Sequence, residues 1–286
     1  MQMEHPSPRS LILDLLSTLR RGSMPVAALV EAGALFGIPG GSVRVALARL
    51  LTAGRVARDS RGRYRLGAEA LPVQRWVGSW RRLDAQTRSW DGSWHAVHLP
   101  TPGVPAPSQR ALLRLGFREF RPGLQLRPAN RRGGTTGLRD ALSELGLDEN
   151  ALVYRLRELE PADDAAARRL WDVAALETGY RKSSKALQRS TRKLRTASEE
   201  RRMVETFLLG GSVIQQLAAD PLLPEEIQPG EGFHELLAAM RDYDRLGRSC
   251  WGGLLARHGV PHRSAPLDTR LLEHGARDLA GAELRG

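Results

Sequence analysis

Three amphipathic stretches open the chain, and in each the apolar residues recur at the three- and four-residue spacing of an α-helix. The first stretch runs from Leu11 to Leu19 and the second from Pro25 to Phe36. The third spans residues 40–53, and its pattern predicts one buried face made of Val43, Ala46, Leu47, Leu50 and Leu51. A glycine-rich turn separates the second helix from the third, so the pattern predicts a helix-turn-helix pair.

A short basic β-hairpin is predicted directly after the third helix, over residues 55–66. It carries five arginines against one acid, Asp59, and Ser60-Arg61-Gly62 suits its tight turn. A helix pair followed by a basic hairpin is typical of the winged helix-turn-helix, which places one helix in the DNA major groove. We therefore predict a winged helix-turn-helix DNA-binding domain over residues 9–70.

The solvent side of the third helix and the hairpin supply the candidate DNA contacts. Arg44 and Arg49 are the strongest candidates, because one arginine guanidinium can donate hydrogen bonds to both the O6 and the N7 atom of a guanine. Arg61 at the hairpin tip is the best candidate for a phosphate or the minor groove, whereas Tyr64 and Leu66 are expected in the core. The alternative for the helix is an ordinary solvated face. The predicted DNA-binding residues are Ser42, Arg44, Val45, Arg49, Arg58, Arg61 and Arg63.

A connector over residues 71–93 carries Trp76, Trp80 and Trp90, which we expect to pack against neighbouring elements rather than stack on bases. Residues 94–160 then read strand, helix, strand, strand, helix, strand, which is the ferredoxin-like order. The predicted strands are 94–99, 117–121, 124–127 and 151–156, and the predicted helices are 108–115 and 136–145.

Helical patterns dominate the remainder of the chain. Residues 163–195 fit one long helix or two, and further helices are predicted over 198–219 and 233–246. We expect a helical dimerisation and effector domain over residues 161–258, followed by a tail over 259–286. The predicted fold class is therefore α+β, with an N-terminal winged helix-turn-helix, a central ferredoxin-like βαββαβ domain and a helical C-terminal domain.

The charge of the chain favours a polyanionic partner. The formal net charge is +11, and only three of the 43 basic residues are lysines. Arginine suits bidentate contact with phosphate and guanine, although a GC-rich genome would give the same bias. A second basic concentration covers residues 181–202, with nine basic residues against Glu199 and Glu200. Three interpretations of this segment are open. It forms an ordinary solvated helix face, it contacts the DNA backbone as an auxiliary surface, or it binds the phosphates of a coenzyme A ester.

The sequence gives little support for a disulfide-bonded protein, a membrane protein, a metalloprotein or an enzyme. The single cysteine, Cys250, cannot form an internal disulfide, and no apolar run reaches the length of a membrane span, so a cytoplasmic protein is expected. His258 and His262 have possible ligand spacing but no cysteine partner, and we expect neither metal nor cofactor. A nucleic-acid-processing enzyme built on the ferredoxin-like domain is the alternative function. Nucleases with that fold place a metal-binding acid at the end of the first strand, where this chain has His98-Leu99-Pro100.

Three blocks together resemble the phenylacetic acid degradation repressor (PaaX) family of bacterial transcription regulators. They are the Ser42–Leu50 helix with its flanking glycines, Trp90-Asp91-Gly92-Ser93-Trp94, and Asp220-Pro221-Leu222-Leu223-Pro224. The resemblance covers most of residues 10–250 and implies a dimeric repressor of double-stranded DNA sites, released by an acyl-CoA thioester such as phenylacetyl-CoA. The resemblance also implies that the protein is a regulator and not an enzyme. Val45 and Ala48 stand where family members often carry hydroxyl residues, and Arg55 where they often carry an aromatic, so the operator sequence is not predicted.

Overall fold

The computed structural model describes residues 6–18, 23–59, 62–99 and 105–261 and confirms the α+β class, with two antiparallel sheets among many helices. Contacts divide the chain into two compact units. Unit 1 comprises Met1–Arg75, Ser183–Ile214 and Ala238–Gly286, and unit 2 comprises Trp76–Lys182 and Gln215–Leu237. Among the described helices, none combines the length and the hydropathy that a membrane span requires.

The first part of unit 1 contains the predicted helices and hairpin. Helices α1 (Pro8–Thr18), α2 (Val26–Leu35) and α3 (Gly40–Thr52) precede strands β2 (Val56–Arg58) and β3 (Arg63–Leu66). Leu19, at the predicted end of the first stretch, lies outside the described residues. A two-residue strand, β1 (Met24–Pro25), pairs with β3 and completes a sheet of order β1-β3-β2. The sequence does not predict β1, because two residues carry no periodic pattern.

The hydrophobic core of unit 1 joins residues that are far apart in sequence. Leu29, Val43 and Leu50 lie in one buried cluster with Met203 of α9 (Glu199–Ala218) and Trp251 of α10 (Glu231–Arg257). The ring of Phe36 meets that of Phe207 edge-on, with centroids 5.2 Å apart, and the Trp251 indole donates to the Met203 carbonyl at 3.1 Å. The N-terminal helices and hairpin therefore share their core with segments of the C-terminal helices.

Unit 2 is built on a four-stranded antiparallel sheet of order β5-β6-β4-β7. Its elements are β4 (Trp94–His98), α5 (Ala106–Arg114), β5 (Arg118–Arg121), β6 (Leu124–Pro128), α6 (Gly134–Glu144) and β7 (Leu152–Leu156). Side chains of β4 alternate between two cores: Val97 packs with residues of α5 and α6, whereas Trp94 and Ala96 pack with Trp171. All six elements match the predicted positions to within a few residues.

The connector runs through α4 (Leu71–Gly78) and two short 3₁₀ helices (Ala68–Ala70 and Ser79–Ala85). Its tryptophans pack as predicted: Trp80 and Trp90 are buried, and the half-buried Trp76 ring lies against the α5–α6 core. The Trp76 indole donates to the Arg114 carbonyl at 3.1 Å. The connector is therefore anchored by its aromatic residues.

The C-terminal helices resolve the choice that the sequence left open. The first predicted stretch forms two helices, α7 (Pro161–Arg168) and α8 (Val173–Leu194), and the Asp172 carboxylate caps the second by accepting from the Ala175 amide. The predicted end of the last helix at residue 246 is wrong, since α10 continues to Arg257. Gly247 lies within this helix and packs against Thr206 of α9, where a Cβ would make an ordinary contact at 3.4 Å.

Candidate nucleic-acid interface

One side of α3 is buried and the other is open to solvent. Val43, Leu47 and Leu50 are at most 2% exposed, which fixes the rotation of the helix about its axis. The prediction for Leu51 is wrong: its side chain is 41% exposed, because it lies at the edge of the buried stripe and not within it. Arg44 and Arg49 lie on the exposed side, and the apolar side chain of Val45 between them is 53% exposed. Ser42, in the first turn, is exposed as well. The structure thus brings these four predicted contact residues together on one accessible face.

A close approach between α2 and α3 sets the angle of the helix pair. A Cβ on Gly33 would lie only 2.8 Å from the Val43 Cγ2, so α2 needs a residue without a side chain at that point. The turn that follows contains Gly37 with φ of 69°, a left-handed conformation that favours glycine. Both glycines therefore help to present the exposed face of α3.

We expect Gly33→Ala to destabilise unit 1 by about 1–2 kcal/mol, because the stiff Val43 side chain has to give way against a packed core. Urea denaturation followed by tryptophan fluorescence measures the effect. Gly41→Ala is the matched control: Gly41 is also helical, but a Cβ there would meet no atom within 4 Å. That substitution is expected to leave stability unchanged or to raise it by up to about 1 kcal/mol. Equal effects at both positions would contradict the close approach.

The hairpin arginines divide into two groups. Arg58 is exposed, and its guanidinium lies 6.0 Å from the centre of the Tyr64 ring. Arg63 is engaged inside unit 1: it donates to the Ser23 Oγ at 3.1 Å, to the Ser23 carbonyl at 2.8 Å and to the Gly259 carbonyl at 3.2 Å. Arg61 and Ser60 of the predicted turn lie outside the described residues. Tyr64 and Leu66 pack against the core, as predicted.

A carboxylate on α2 binds residues at the end of α10, a contact that the sequence does not predict. The Glu31 carboxylate accepts hydrogen bonds from the Arg257 guanidinium at 2.7 Å and from the His258 ring at 2.5 Å. These hydrogen bonds lower the pKa of Glu31 below its usual value. More than 220 residues separate the partners, so no local motif signals the contact. His258 serves here as a hydrogen-bonding partner, and among the described residues no group of three or more potential ligands is placed to hold a metal ion.

Residues 7–70 match the family model of PaaX-like proteins. This PaaX-like segment includes α1, the helix pair and the hairpin, and so contains every predicted DNA-binding residue. The match confirms the resemblance for its first block, the Ser42–Leu50 helix, and does not reach the blocks at residues 90–94 and 220–224. Members of that family are regulators rather than enzymes, so the match supports a role in transcription regulation.

One similar solved structure is described as an uncharacterized protein, Rv0674, from Mycobacterium tuberculosis. The two chains are 26% identical and superpose with a TM-score of 0.57, over 87% of this chain and 98% of that one. A comparison with curated proteins gives no significant match. The architecture is thus shared over nearly the whole length of a known structure.

Unit 2 contains a cavity of about 340 Å³. Its walls include the aromatic rings of Trp90, Tyr180 and Phe233. One side is the turn that starts at Asp220, whose buried carboxylate accepts a hydrogen bond from the Tyr180 hydroxyl at 2.5 Å and one from the Leu222 amide at 2.8 Å. Burial raises the pKa of Asp220 to about 6. The size lies within the range of small-molecule sites.

Proposed function

We propose that the chain is a DNA-binding transcription regulator in which the PaaX-like segment is a winged helix-turn-helix and α3 is the recognition helix. The observation that carries the proposal is the exposed pair Arg44 and Arg49 on a helix whose other side is locked into the core. A rigid, accessible, basic helix face is what direct reading of the major groove requires.

Each residue of the α3 face has a distinct chemical role in this proposal. One or both of Arg44 and Arg49 bond the O6 and N7 atoms of guanine, and Val45 packs against a thymine methyl group. Ser42, at the start of the helix, donates to a phosphate or a base edge. These contacts would supply sequence selectivity, while the cations on the hairpin would bind the phosphate backbone of the DNA.

On the hairpin we assign phosphate contact to Arg58 and Arg61. Arg63 has a different part in the proposal, because its guanidinium already bonds Ser23 and Gly259. Arg63 would position the hairpin relative to α3 rather than bind DNA directly. Charged contacts to phosphate position a protein on the duplex without reading its sequence.

The remaining architecture fits a dimeric, effector-controlled repressor. The strand order β5-β6-β4-β7, with α5 and α6 as connections, supports a ferredoxin-like central domain. We propose that helices within residues 161–258 pair two subunits, so that two recognition helices meet half-sites about one helical turn apart or a multiple of it.

An acyl-CoA thioester is the proposed effector, by analogy with the PaaX family. Three aromatic residues of the cavity in unit 2 would pack against the aryl group of phenylacetyl-CoA, within walls that are otherwise mainly polar and include Asp84, Arg88, Glu225 and Glu226. Such a ligand can release DNA only to the extent that it binds the released state more tightly than the DNA-bound state.

Selection of duplexes from a random pool tests the regulator proposal. The full-length protein is expected to enrich a sequence made of two related half-sites, and footprinting should show protection of both. Addition of phenylacetyl-CoA should weaken binding to the enriched duplex, and sedimentation should show a dimer. Failure to enrich any sequence after repeated rounds would contradict the proposal.

A further inference from the structure

One basic face runs along the second half of α8, within unit 1. On the opposite side of the helix, Leu187, Ser190 and Leu194 are buried. The Ser190 hydroxyl makes hydrogen bonds to the Glu205 carboxylate at 2.5 Å and to the Tyr243 hydroxyl at 2.7 Å, which fixes the rotation of α8. At 100° per residue the cations fall within about a third of the circumference. This α8 basic face consists of the exposed residues Lys185, Arg189, Arg192 and Lys193.

Among the described residues, the cations of the α8 basic face are not neutralised by neighbouring acidic residues, whereas cations of α10 are. On α10, Arg245 pairs with Asp242 and Arg248 pairs with Asp244. On α8, by contrast, no acidic residue occurs between Glu177 and Glu199. Within the described parts of the chain, no ion pair neutralises any of the four cations. An ordinary solvated face would be expected to mix both signs of charge, as α10 does.

Local electrostatics make this arrangement unfavourable in water. Arg189 has like-charged neighbours four residues away on both sides, Lys185 and Lys193, and such pairs repel on a helix. The negative end of the helix dipole favours Lys193 in the last turn, but its effect does not reach Lys185 two turns earlier. A bound polyanion would relieve the repulsion along the whole face.

We propose that the α8 basic face is a second, sequence-independent DNA-binding surface that contacts the phosphate backbone; this inference rests on the proposed DNA-binding function. The face belongs to the same compact unit as the PaaX-like segment. It extends for roughly 12 Å along the helix, enough to meet several phosphates of a duplex that carries one charge per about 1.7 Å of its axis. It supplies affinity and salt dependence, whereas α3 supplies selectivity.

The test is a salt titration of the full-length protein with a fluorescent 30-base-pair duplex of random sequence. The triple variant Lys185→Ala, Arg189→Ala and Arg192→Ala is expected to bind more weakly than wild type. The slope of log Kobs against log salt should become shallower by roughly 2 to 3, since each lost phosphate contact removes about 0.9. The loss should be equal on a duplex enriched by the wild-type protein.

A control variant removes the same charge from unit 2, by Arg82→Ala, Arg110→Ala and Arg169→Ala, all at exposed positions. It is expected to keep the wild-type slope. Circular dichroism should show unchanged melting for the α8 variant, and glutamine replacements at the same three positions should reproduce its slope.

Three results would overturn the inference. They are an unchanged slope in the α8 variant, an equal change in the control variant, or a loss of binding to labelled poly-L-glutamate with none to DNA. The last result would assign the face to an acidic protein partner. The random duplex needs no operator, so failure to enrich a sequence would sink the proposed regulator function and still leave this test decisive.

Discussion

Replacing Arg44 and Arg49 together by alanine is expected to lower affinity for an enriched duplex by about 30-fold to more than 1,000-fold. Each bidentate contact with guanine contributes roughly 1–3 kcal/mol of discrimination, and about 1.4 kcal/mol corresponds to a tenfold change in the dissociation constant. Both side chains are exposed on α3, so their removal leaves the core of unit 1 intact.

Gel-shift titration of the enriched duplex and of a scrambled duplex measures the effect. The variant should lose most of its preference between the two, because the remaining phosphate contacts do not read sequence. Removing the same charge at Arg82 and Arg110 should leave the preference unchanged. If the double variant still discriminates as wild type does, neither arginine reads bases and α3 loses its assigned role.

Arg127→Ala is expected to destabilise unit 2 by about 3–5 kcal/mol, because each buried acceptor left without a donor costs about 1–3 kcal/mol. The Arg127 side chain is fully buried. Its guanidinium donates to the carbonyls of Leu115, Pro128 and Pro221 and to the Asn130 Oδ1. Burial lowers the pKa of Arg127 well below its usual value. Alanine would leave a cavity and four acceptors without their donor.

Urea denaturation followed by tryptophan fluorescence measures the change in the free energy of unfolding. Arg121→Ala is the matched control, since Arg121 is an exposed arginine of the neighbouring strand that pairs with Asp163 at 2.8 Å. Exposed ion pairs contribute at most about 1 kcal/mol, so this control should have little effect. Arg127→Lys should fall between the two, because an ammonium group lacks the fork that spans several acceptors. A cost at Arg127 no larger than at Arg121 would contradict a structural role for the network.

Local periodicity predicted most helices and strands, although the same spacing wrongly assigned Leu51 of α3 to the core. The spacing of Val43, Leu47 and Leu50 predicted both the helix and its buried side, and therefore the exposure of Arg44 and Arg49. The order of strands and helices in unit 2 was predicted for the same reason. Alternating and helical patterns reflect which side of each element meets a core, and that is a local property.

Contacts between distant segments were not predictable in the same way. Arg63 is one of the predicted DNA-binding residues, yet it donates to the carbonyl of Gly259, which is 196 positions away. Arg127 looked like any polar residue of a strand, and nothing nearby in sequence signals the Pro221 carbonyl that it meets. Such contacts depend on how separate elements pack, and a single sequence does not encode that packing as a pattern.

The shared core of unit 1 has a practical consequence for experiments on the isolated PaaX-like segment. A fragment that stops after the hairpin would expose to water the hydrophobic surface that Met203, Trp251 and Leu254 cover in the full chain. It would also lose the hydrogen bonds from Arg257 and His258 to the Glu31 carboxylate. The C-terminal helices thus support the packing of α3, and a fragment without them is expected to fold poorly and to aggregate.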